Sequence, residues 1–494
     1  MVLQVTFEGV YVRMVYDDSA TGGGRLSEKQ FFDNAVAYNN GSGTPTERLV
    51  YTYDAFGRIV QQQHIRPTVT DPYTTAYDAQ GRVTQETTPT GFINYEYDLL
   101  GRKTKTQSGT TLPTVLSEVT YTYDLLGRLS TVNTVKRDGA IVDSNGAGAG
   151  TPPESTTYFY DLLGRPDYTI KPNSVVEDYT FDAMDRIDIQ RHYALDNGNV
   201  NMTTPFLKTE FDYTYRADGQ KTGLTEKEVL GGQTRTSTTS WSYDNAGRLT
   251  SETIDHWDNN ADQTESYVLD LFGNRISRTV NKPSTPYVDQ FFSYLYNAND
   301  QVTSETLDDG ISGAGVDRTT NYGWTNTQQT SKSVVTPTVS TVTQAMSYGL
   351  SGQLERVVTT TQNGSGTVTG RSRVDYRSNT QGIRTISVDW NDANLDGTFA
   401  AGERTGSIEY LIDNTNFTRY QQTILEVTRN AAGQATKRIS YTFGTDEITQ
   451  TVSTINPANG QVSGVPITQT FGHDGRGSVQ VLFDAAAAIA QVYT

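Results

Sequence analysis

The sequence contains no cysteine in its 494 residues. This absence excludes a disulfide framework, thiolate catalysis, zinc-finger ligation and iron–sulfur ligation. The apolar fraction is only 35%, and no run approaches the roughly 18–20 apolar residues of a membrane helix, so no membrane span is expected. The 39 basic and 56 acidic residues give a net charge of −17, which repels phosphate backbones and predicts no nucleic-acid partner.

Aromatic residues are abundant, and most of them are tyrosines. There are 30 Tyr against 17 Phe and 4 Trp, and threonine and valine are also frequent. Disordered chains are poor in aromatic and β-branched residues, whereas pleated sheets with a wet surface are rich in them. The composition therefore favours an all-β fold.

One phrase, Tyr-Asp-x-x-Gly-Arg-aliphatic, recurs along most of the chain. It occupies residues 53–59, 77–83, 97–103 and 123–129, returns from positions 160, 181, 215 and 243, and is weaker from 269, 296 and 348. The lead tyrosines at 53, 77, 97 and 123 are 24, 20 and 26 residues apart. Such a period predicts a repeat architecture in which each unit is one supersecondary element.

The chemistry of the phrase predicts a β-hairpin. An Asp followed three residues later by Gly is typical of a type I turn that ends in a left-handed residue. An aromatic-x-aromatic strand precedes the turn, as in Tyr95 with Tyr97, and residues two apart share one face of a strand. Asp185 and Asp300 replace the Gly in two copies, and Asp tolerates the left-handed region better than most residues.

A hairpin cannot bury a core alone, so the hairpins are expected to pair edge to edge in one long, curved, antiparallel sheet. If that sheet is a single layer with water on both faces, a low apolar fraction is what one would expect, and much of its stability would come from cross-strand pairs of Tyr, Thr and Arg.

The repeated phrase resembles that of RHS/YD-repeat proteins over roughly residues 16–385. The resemblance implies a sheet that spirals into a hollow shell. In bacterial members the shell encloses a C-terminal toxin that is often released by self-cleavage. Other members are toxin-complex shell subunits, wall-associated proteins and teneurins.

The C-terminal residues 473–494 are similar to the start of the RHS-associated core. Asp474, Gly477 and Ser478 match its phrase, but the Asp-Pro-x-Gly cleavage region is missing. We therefore interpret the chain as a segment of a longer protein. The predicted organisation is a YD-repeat β-spiral (1–385), a calcium-loop hairpin insertion (386–410), further shell hairpins (411–470) and the start of the core (471–494).

Residues 392–403, DANLDGTFAAGE, fit the calcium-loop pattern D-x-[DN]-x-[DN]-G-x₅-E. Asp392, Asn394 and Asp396 fall at positions 1, 3 and 5, the Thr398 carbonyl at 7 and the bidentate Glu403 at 12. Hard Ca²⁺ prefers such oxygen ligands around a tight Gly turn. The flanks look like strands, so the pattern predicts a Ca²⁺ site at a hairpin tip, and the alternative is an ordinary polar turn.

Signals for catalysis are scarce. The four histidines show no metal spacing, and neither a G-x-S-x-G elbow nor a phosphate loop occurs. The motif arginines could form a ligand-binding ladder, but pairing with Asp or stacking on Tyr is the commoner use. No enzymatic activity is expected.

We therefore expect a structural, non-catalytic segment of a secreted or cell-surface bacterial shell. Its partners would be its own downstream RHS core and a C-terminal cargo, a polymorphic toxin. The alternative is a cell-surface adhesion or wall-associated module whose tyrosine rows bind glycan or protein.

Overall fold

The structure is a computed structural model of the full chain. It describes residues 2–6, 9–17, 23–34, 43–142, 154–195, 206–258, 261–283, 289–310, 316–417, 420–474 and 477–492. Within these ranges no helix is long and apolar enough to cross a membrane.

The described residues form 37 strands, and a short 3₁₀ turn lies at Ala401–Glu403. The first strands are β1 (Val2–Val5), β2 (Tyr11–Asp17), β3 (Arg25–Phe32), β4 (Glu47–Tyr53), β5 (Ile59–Ile65), β6 (Thr70–Tyr77), β7 (Val83–Thr88), β8 (Gly91–Tyr97), β9 (Lys103–Gly109), β10 (Ser117–Tyr123), β11 (Leu129–Arg137), β12 (Ala140–Ile141), β13 (Glu154–Tyr160), β14 (Pro166–Ile170), β15 (Val175–Phe181), β16 (Ile187–Ala194), β17 (Phe206–Tyr215), β18 (Lys221–Leu230) and β19 (Gln233–Tyr243).

The remaining strands are β20 (Leu249–Asp255), β21 (Gln263–Leu269), β22 (Arg275–Asn281), β23 (Gln290–Tyr296), β24 (Val302–Asp308), β25 (Arg318–Thr325), β26 (Gln328–Thr336), β27 (Ser340–Tyr348), β28 (Leu354–Asn363), β29 (Val368–Ser378), β30 (Arg384–Asn391), β31 (Arg404–Asp413), β32 (Gln422–Asn430), β33 (Ala435–Phe443), β34 (Glu447–Thr454), β35 (Ile467–His473), β36 (Val479–Phe483) and β37 (Ile489–Val492).

All strands belong to one antiparallel sheet. Strands that are consecutive in the chain pair with each other, except that the short β12 pairs with β11 alone and β11 continues to β13. The predicted all-β fold, built from hairpins in one long sheet, is confirmed.

The turn that joins β6 to β7 shows why the repeated phrase folds as a hairpin. The Asp78 N–H donates to the Arg82 carbonyl at 2.9 Å, and the Gly81 N–H donates to the Asp78 carbonyl at 3.0 Å. Gly81 has a φ of 86°, in the left-handed region that glycine enters without steric cost. Asp185 and Asp300 occupy the same region, with φ of 61° and 58°, as the sequence predicts for these substitutions.

Much of the sheet is not a single layer with water on both faces, because separate parts of it pack on each other. We call residues 47–194 the first strip, 206–345 the middle strip and 350–487 the second strip. Hydrogen bonds link residues of the first strip to residues of the second strip that lie 283 to 331 positions later in the chain. The second strip covers one face of the first because the sheet curves until it meets itself.

Apolar clusters form where the two strips meet. Ile93 and Tyr95 of the first strip pack with Leu411, Leu425 and Val427 of the second. A similar cluster joins Val119, Tyr121, Leu129 and Val132 to Ile448, and a third joins Val175 and Ala194 to Val481, Phe483 and Ala487. Tyr95 and Tyr121 thus help to fill a core between two parts of one sheet.

The predicted insertion at 386–410 consists of most of β30, the connecting loop and part of β31, and both strands pair within the main sheet. The phrase of the predicted core start forms the turn between β35 and β36, with the Asp474 N–H donating to the Ser478 carbonyl at 2.9 Å.

Candidate functional site

The repeated phrase joins each hairpin to the next through its arginine. The Arg82 Nε donates to Asp78 Oδ2 at 2.6 Å, and its Nη1 donates to the Asp98 carbonyl of the following turn at 2.9 Å. The Arg82 guanidinium lies over the Tyr97 ring, 4.8 Å from its centre. The Tyr97 hydroxyl donates back to the Val83 carbonyl at 2.8 Å. The guanidinium of Arg82 and the hydroxyl of Tyr97 therefore both have partners within the wall.

The same stacking recurs along the chain. The guanidinium carbon lies 4.3–4.6 Å from the next aromatic ring in the pairs Arg58/Tyr77, Arg102/Tyr123, Arg128/Tyr160, Arg165/Phe181 and Arg186/Tyr215. These contacts make the arginine ladder structural, in agreement with the commoner use of such ladders.

The Tyr95 and Tyr97 pair of the first strip is not an open binding surface. Tyr95 is only 3% exposed, and its hydroxyl donates to Asp413 Oδ1 of the second strip at 2.9 Å. The Tyr97 hydroxyl is engaged by the Val83 carbonyl. Glycan stacking on this pair would require the two strips to separate.

The predicted calcium loop joins β30 to β31, and its five proposed ligands lie in that one loop. Gly397 has a φ of 88°, as the sharp turn requires. The Glu403 carboxylate accepts the Ala393 N–H at 3.0 Å and the Ala400 N–H at 2.9 Å, so position 12 lies beside position 1.

The acidic groups of this loop differ in their surroundings. Asp396 Oδ1 accepts the Thr398 hydroxyl and N–H at 2.6 and 2.7 Å, and these bonds lower the pKa of Asp396. Asp392 is buried, and its Oδ2 accepts the Gly397 N–H at 2.9 Å and lies 3.2 Å from Arg371 Nη1.

The other carboxylate oxygen of Asp392, Oδ1, is buried without a hydrogen-bond donor. A carboxylate oxygen in this condition fits a cation ligand. In the part of the chain that the structure describes, however, no three His, Asp or Glu side chains are already arranged as a metal cluster.

Buried charged clusters connect the two strips, and sequence reasoning missed them. In the first, Glu47 Oε2 accepts the Ser351 N–H at 3.0 Å and Oε1 accepts the Ser351 hydroxyl at 2.7 Å. His64 also bonds Glu47 through Nε2 and contacts Arg66 through Nδ1. The Arg66 guanidinium reaches across to the Ser378 carbonyl at 2.9 Å.

The second cluster surrounds Glu177, which is 3% exposed. Its Oε2 lies 2.7 Å from Lys171 Nζ, and its Oε1 accepts Gln190 Nε2 at 2.7 Å. Burial alone would raise the pKa of Glu177, but the Lys171 ammonium and hydrogen bonds from His192 and His473 hold it well below its usual value. Lys171 and Gln190 also donate to carbonyls of Phe471 and His473, so one carboxylate organises both strips.

The third cluster contains a carboxyl group that favours its protonated form. Burial, followed by the charge of Asp413, raises the pKa of Glu86 to about 7. The Tyr95 hydroxyl donates to Asp413 Oδ1 at 2.9 Å and lies 3.1 Å from Glu86 Oε2. Lys103 Nζ donates to the Thr415 carbonyl at 2.6 Å.

No sequence signal could locate these clusters, because their members lie about 300 positions apart. His64 and His192 carry no recognisable motif, yet both are fully buried beside a glutamate. These charged residues are buried only because the second strip covers the first. The sequence of each strand by itself is that of a solvent-exposed sheet.

Two open cavities follow the seam between the strips. One, of about 590 Å³, lies between Leu116 and Asp138 on one side and Arg429 and Arg438 on the other. The other, of about 510 Å³, is lined by Arg66, Arg377 and Trp390 among others. Their arginines are engaged, since Arg438 pairs with Asp138 at 2.9 Å and Arg377 with Asp71 at 3.3 Å.

Comparison with known proteins identifies the repeat. Residues 77–112 match the family model described as RHS Repeat. The resemblance that the repeated phrase indicated is thereby confirmed. Among curated proteins, none matches this sequence.

Solved structures of TcdB2-TccC3 are similar to this chain. The similarity to TcdB2-TccC3 has a TM-score of 0.44 at 15% identity and covers 99% of this chain and 27% of that one. For TcdB2-TccC3-Cdc42 the TM-score is 0.44 at 15% identity, with 97% and 26% covered. For TcdB2-TccC3 without hypervariable C-terminal region it is 0.35 at 14% identity, with 97% and 26% covered. The chain spans about a quarter of the length of those chains, 26 to 27%.

Proposed function

We propose that this chain, which carries RHS repeats, is a non-catalytic wall segment of a secreted or cell-surface bacterial shell. The wall encloses or presents a C-terminal cargo of the longer protein, a polymorphic toxin. The observation that carries the proposal is the curvature of one long sheet, whose second strip packs on its first strip.

The buried interface between the strips supports a wall rather than an open ribbon. Contacts such as Thr90 Oγ1 to the Tyr410 carbonyl, 320 positions apart, hold the curved sheet at a fixed curvature. The motif residues that could have carried ligand chemistry hold neighbouring hairpins together instead. A sheet built in this way can surround a volume without a solid core.

The test is protection of the cargo in the longer product. The gene would be expressed through the codons downstream of Thr494, and the purified protein would be treated with protease. We expect the C-terminal domain to be cleaved far more slowly inside the shell than as an isolated domain. Equal cleavage rates, or a product without any variable C-terminal domain, would contradict the cargo proposal.

We also propose that the loop at 392–403 binds Ca²⁺ through Asp392, Asn394, Asp396, the Thr398 carbonyl and Glu403. The unpartnered Asp392 Oδ1 and the closeness of Glu403 to the start of the loop support this proposal. The cation would take over contacts that Arg371 and backbone N–H groups now make with the carboxylates. Its role would be to stiffen a hairpin tip of the wall.

The alternative function, adhesion to cell-surface glycan or protein, has less support. Its proposed contact residue Tyr95 lies in the interface between the strips. A glycan array would test it directly, and binding that survives Tyr95→Ala would place any adhesive surface elsewhere.

A further inference from the structure

Arginines gather on one face of four neighbouring strands of the second strip, β28 to β31. Residues two apart on a strand share a face, and so do residues that pair directly across neighbouring strands. Arg356 pairs with Asp375. Trp390 pairs with Arg373 on one side and with Arg404 on the other. We call the following set the arginine face: Arg356, Arg371, Arg373, Arg377 and Arg404.

Acidic partners compensate the charge of the arginine face only in part. A single carboxylate, Asp375, serves both Arg356 at 2.7 Å and Arg373 at 3.0 Å. Arg404 bonds the Ser407 hydroxyl at 3.0 Å, and among the described residues it has no ion pair with a carboxylate. Burial lowers the pKa of Arg373, and the charge of Arg356 adds to this effect although Asp375 opposes it. The face therefore keeps an excess of positive charge on a chain whose net charge is −17.

Three buried N–H groups on this face have no acceptor among the described residues. They are Nε of Arg373, Nε1 of Trp390 and Nε of Arg404, and these residues pair across three adjacent strands. Buried donors normally have a partner, so a row of three without one requires an explanation. Each leaves a positive partial charge uncompensated in a site of low dielectric, and an anion nearby would lower that cost.

The open cavity of about 510 Å³ lies at this face. The turn at 66–69 of the first strip lines it together with Arg356 and Arg377 of the second strip. Arg356 bonds Asp375 through Nε alone, and Arg377 bonds Asp71 through Nη1 alone, at 3.3 Å. The other guanidinium N–H groups of these two arginines have no acceptor in the described part of the chain.

Two acids also line the cavity, Glu355 and Asp375. Asp375 is neutralised by two arginines of the face. Burial raises the pKa of Glu355, which favours its neutral form, and its carboxyl group lies 3.5 Å from Arg66 Nε. The two acids therefore leave the remaining guanidinium N–H groups of the lining available to a ligand.

We propose that this cavity binds a small organic oxyanion, whose carboxylate or phosphate group lies between Arg356 and Arg377. Arg356 pairs with Asp375, two residues from Arg377, and such diagonal neighbours are about 7–8 Å apart, within reach of long side chains. A planar guanidinium presents parallel N–H donors that match the oxygens of either group. The unpaired donors of the arginine face favour the negative charge. The proposal does not depend on calcium or on any cargo.

Isothermal titration calorimetry tests the binding, with inorganic phosphate and glucuronate as separate probes. We expect the wild-type chain to bind at least one probe, and Arg356→Gln to weaken binding about tenfold, because a charged hydrogen bond is lost. Tighter binding of phosphate would identify a phosphate ligand, and tighter binding of glucuronate would identify a carboxylate ligand. No binding of either probe at millimolar concentration would overturn the proposal.

The matched control for Arg356→Gln is Arg318→Gln on the middle strip. The Arg318 side chain is 41% exposed against 49% for Arg356, and it likewise faces one acid, Glu305, at 3.8 Å. Arg318→Gln should leave the binding unchanged. Equal weakening by both variants would mean that only the net charge of the chain matters, and it would overturn the assigned site.

Tryptophan fluorescence locates the bound anion. Trp390 lines the cavity and is one of only four tryptophans in the chain. We expect the anion to change the emission of the wild-type chain but not that of Trp390→Phe, whereas Trp324→Phe on the middle strip should retain the change. A change that persists in Trp390→Phe would place the anion elsewhere and overturn the proposal. Melting temperatures equal to the wild-type value establish that the variants are folded.

Discussion

Arg82 lies over the ring of Tyr97 at 4.8 Å while its Nε is bonded to Asp78 at 2.6 Å. One guanidinium therefore fixes the turn in which it resides and the aromatic residue of the next hairpin. The continuity of the wall depends on this double use, since each hairpin alone would be marginally stable.

Removing this guanidinium should loosen two hairpins at once. We expect Arg82→Ala to lower the free energy of local unfolding by about 1–3 kcal/mol, because a charged hydrogen bond and a cation–π contact are lost together. Hydrogen exchange of the amides in both turns would measure the change. Lys105→Ala, which breaks the more exposed pair with Glu96, should cost less than about 1 kcal/mol. Equal effects would show that the stacking contributes nothing.

The ion pair of Lys171 and Glu177 should contribute strongly to the stability of the interface between the strips. Lys171→Met leaves a buried carboxylate without its cation, and we expect a loss of about 3–5 kcal/mol in unfolding free energy. Denaturant titration would measure it. The double variant Lys171→Met/Glu177→Gln removes both charges and should recover most of the loss. Failure of the double variant to recover would mean that packing, not charge, dominates there.

Acid should weaken the same cluster. The pKa of Glu177 is held well below its usual value, so its stabilisation is present above the unfolded-state pKa near 4.5 and is lost as pH falls through the lower folded value. We expect the melting temperature of the wild-type chain to fall below about pH 4.5. Glu177→Gln should flatten that part of the profile, and an unchanged slope would contradict the assignment.

Glu86 should show the opposite pH dependence. Its pKa is raised to about 7, so its contribution to stability is present below pH 4.5 and is lost as pH rises through 7. Glu86→Gln keeps the protonated shape, and we expect it to stabilise the chain by about 1–3 kcal/mol at pH 8. Near pH 4 the two proteins should unfold at the same temperature. An equal gain at both pH values would exclude titration of Glu86 as the cause.

Calcium at the 392–403 loop should be visible in thermal unfolding. We expect millimolar Ca²⁺ to raise the melting temperature and a chelator to reverse the rise, because a ligand that binds only the folded state stabilises it. Asp396→Ala/Glu403→Ala should abolish the response. Asn363→Ala, at the last residue of β28 and beside the turn that leads to β29, is the matched control and should retain it. No shift in the wild-type chain would remove the calcium proposal.

Local structure was largely predictable from particular residues. The Asp-x-x-Gly spacing predicted the turn at 78–81 with its left-handed glycine, and the same pattern predicted the positive φ of Asp185 and Asp300. Tyr95 and Tyr97 were correctly placed on one strand two residues apart. These features depend only on backbone sterics and hydrogen bonds within a few residues, so the sequence expresses them directly.

The candidate calcium loop was predictable as a loop between two strands, and its ligand role stays a prediction. The buried clusters around Glu47, Glu86 and Glu177 were not predictable, because each takes its partners from the other strip. A glutamate or histidine on a strand of mixed polarity is expected to be solvent-exposed. Here the other strip covers these residues and buries them.

The residues of each repeat are therefore sufficient to specify the hairpins, their turns and their pairing into one antiparallel sheet. Which face of the sheet is covered, and by which residues, depends on the complete folded chain. That outcome depends on twist and curvature accumulated over many strands, and small differences per strand decide where residue 95 meets residue 413. No local pattern in the sequence specifies this accumulated twist and curvature, so the interface between the strips is seen only in the folded chain.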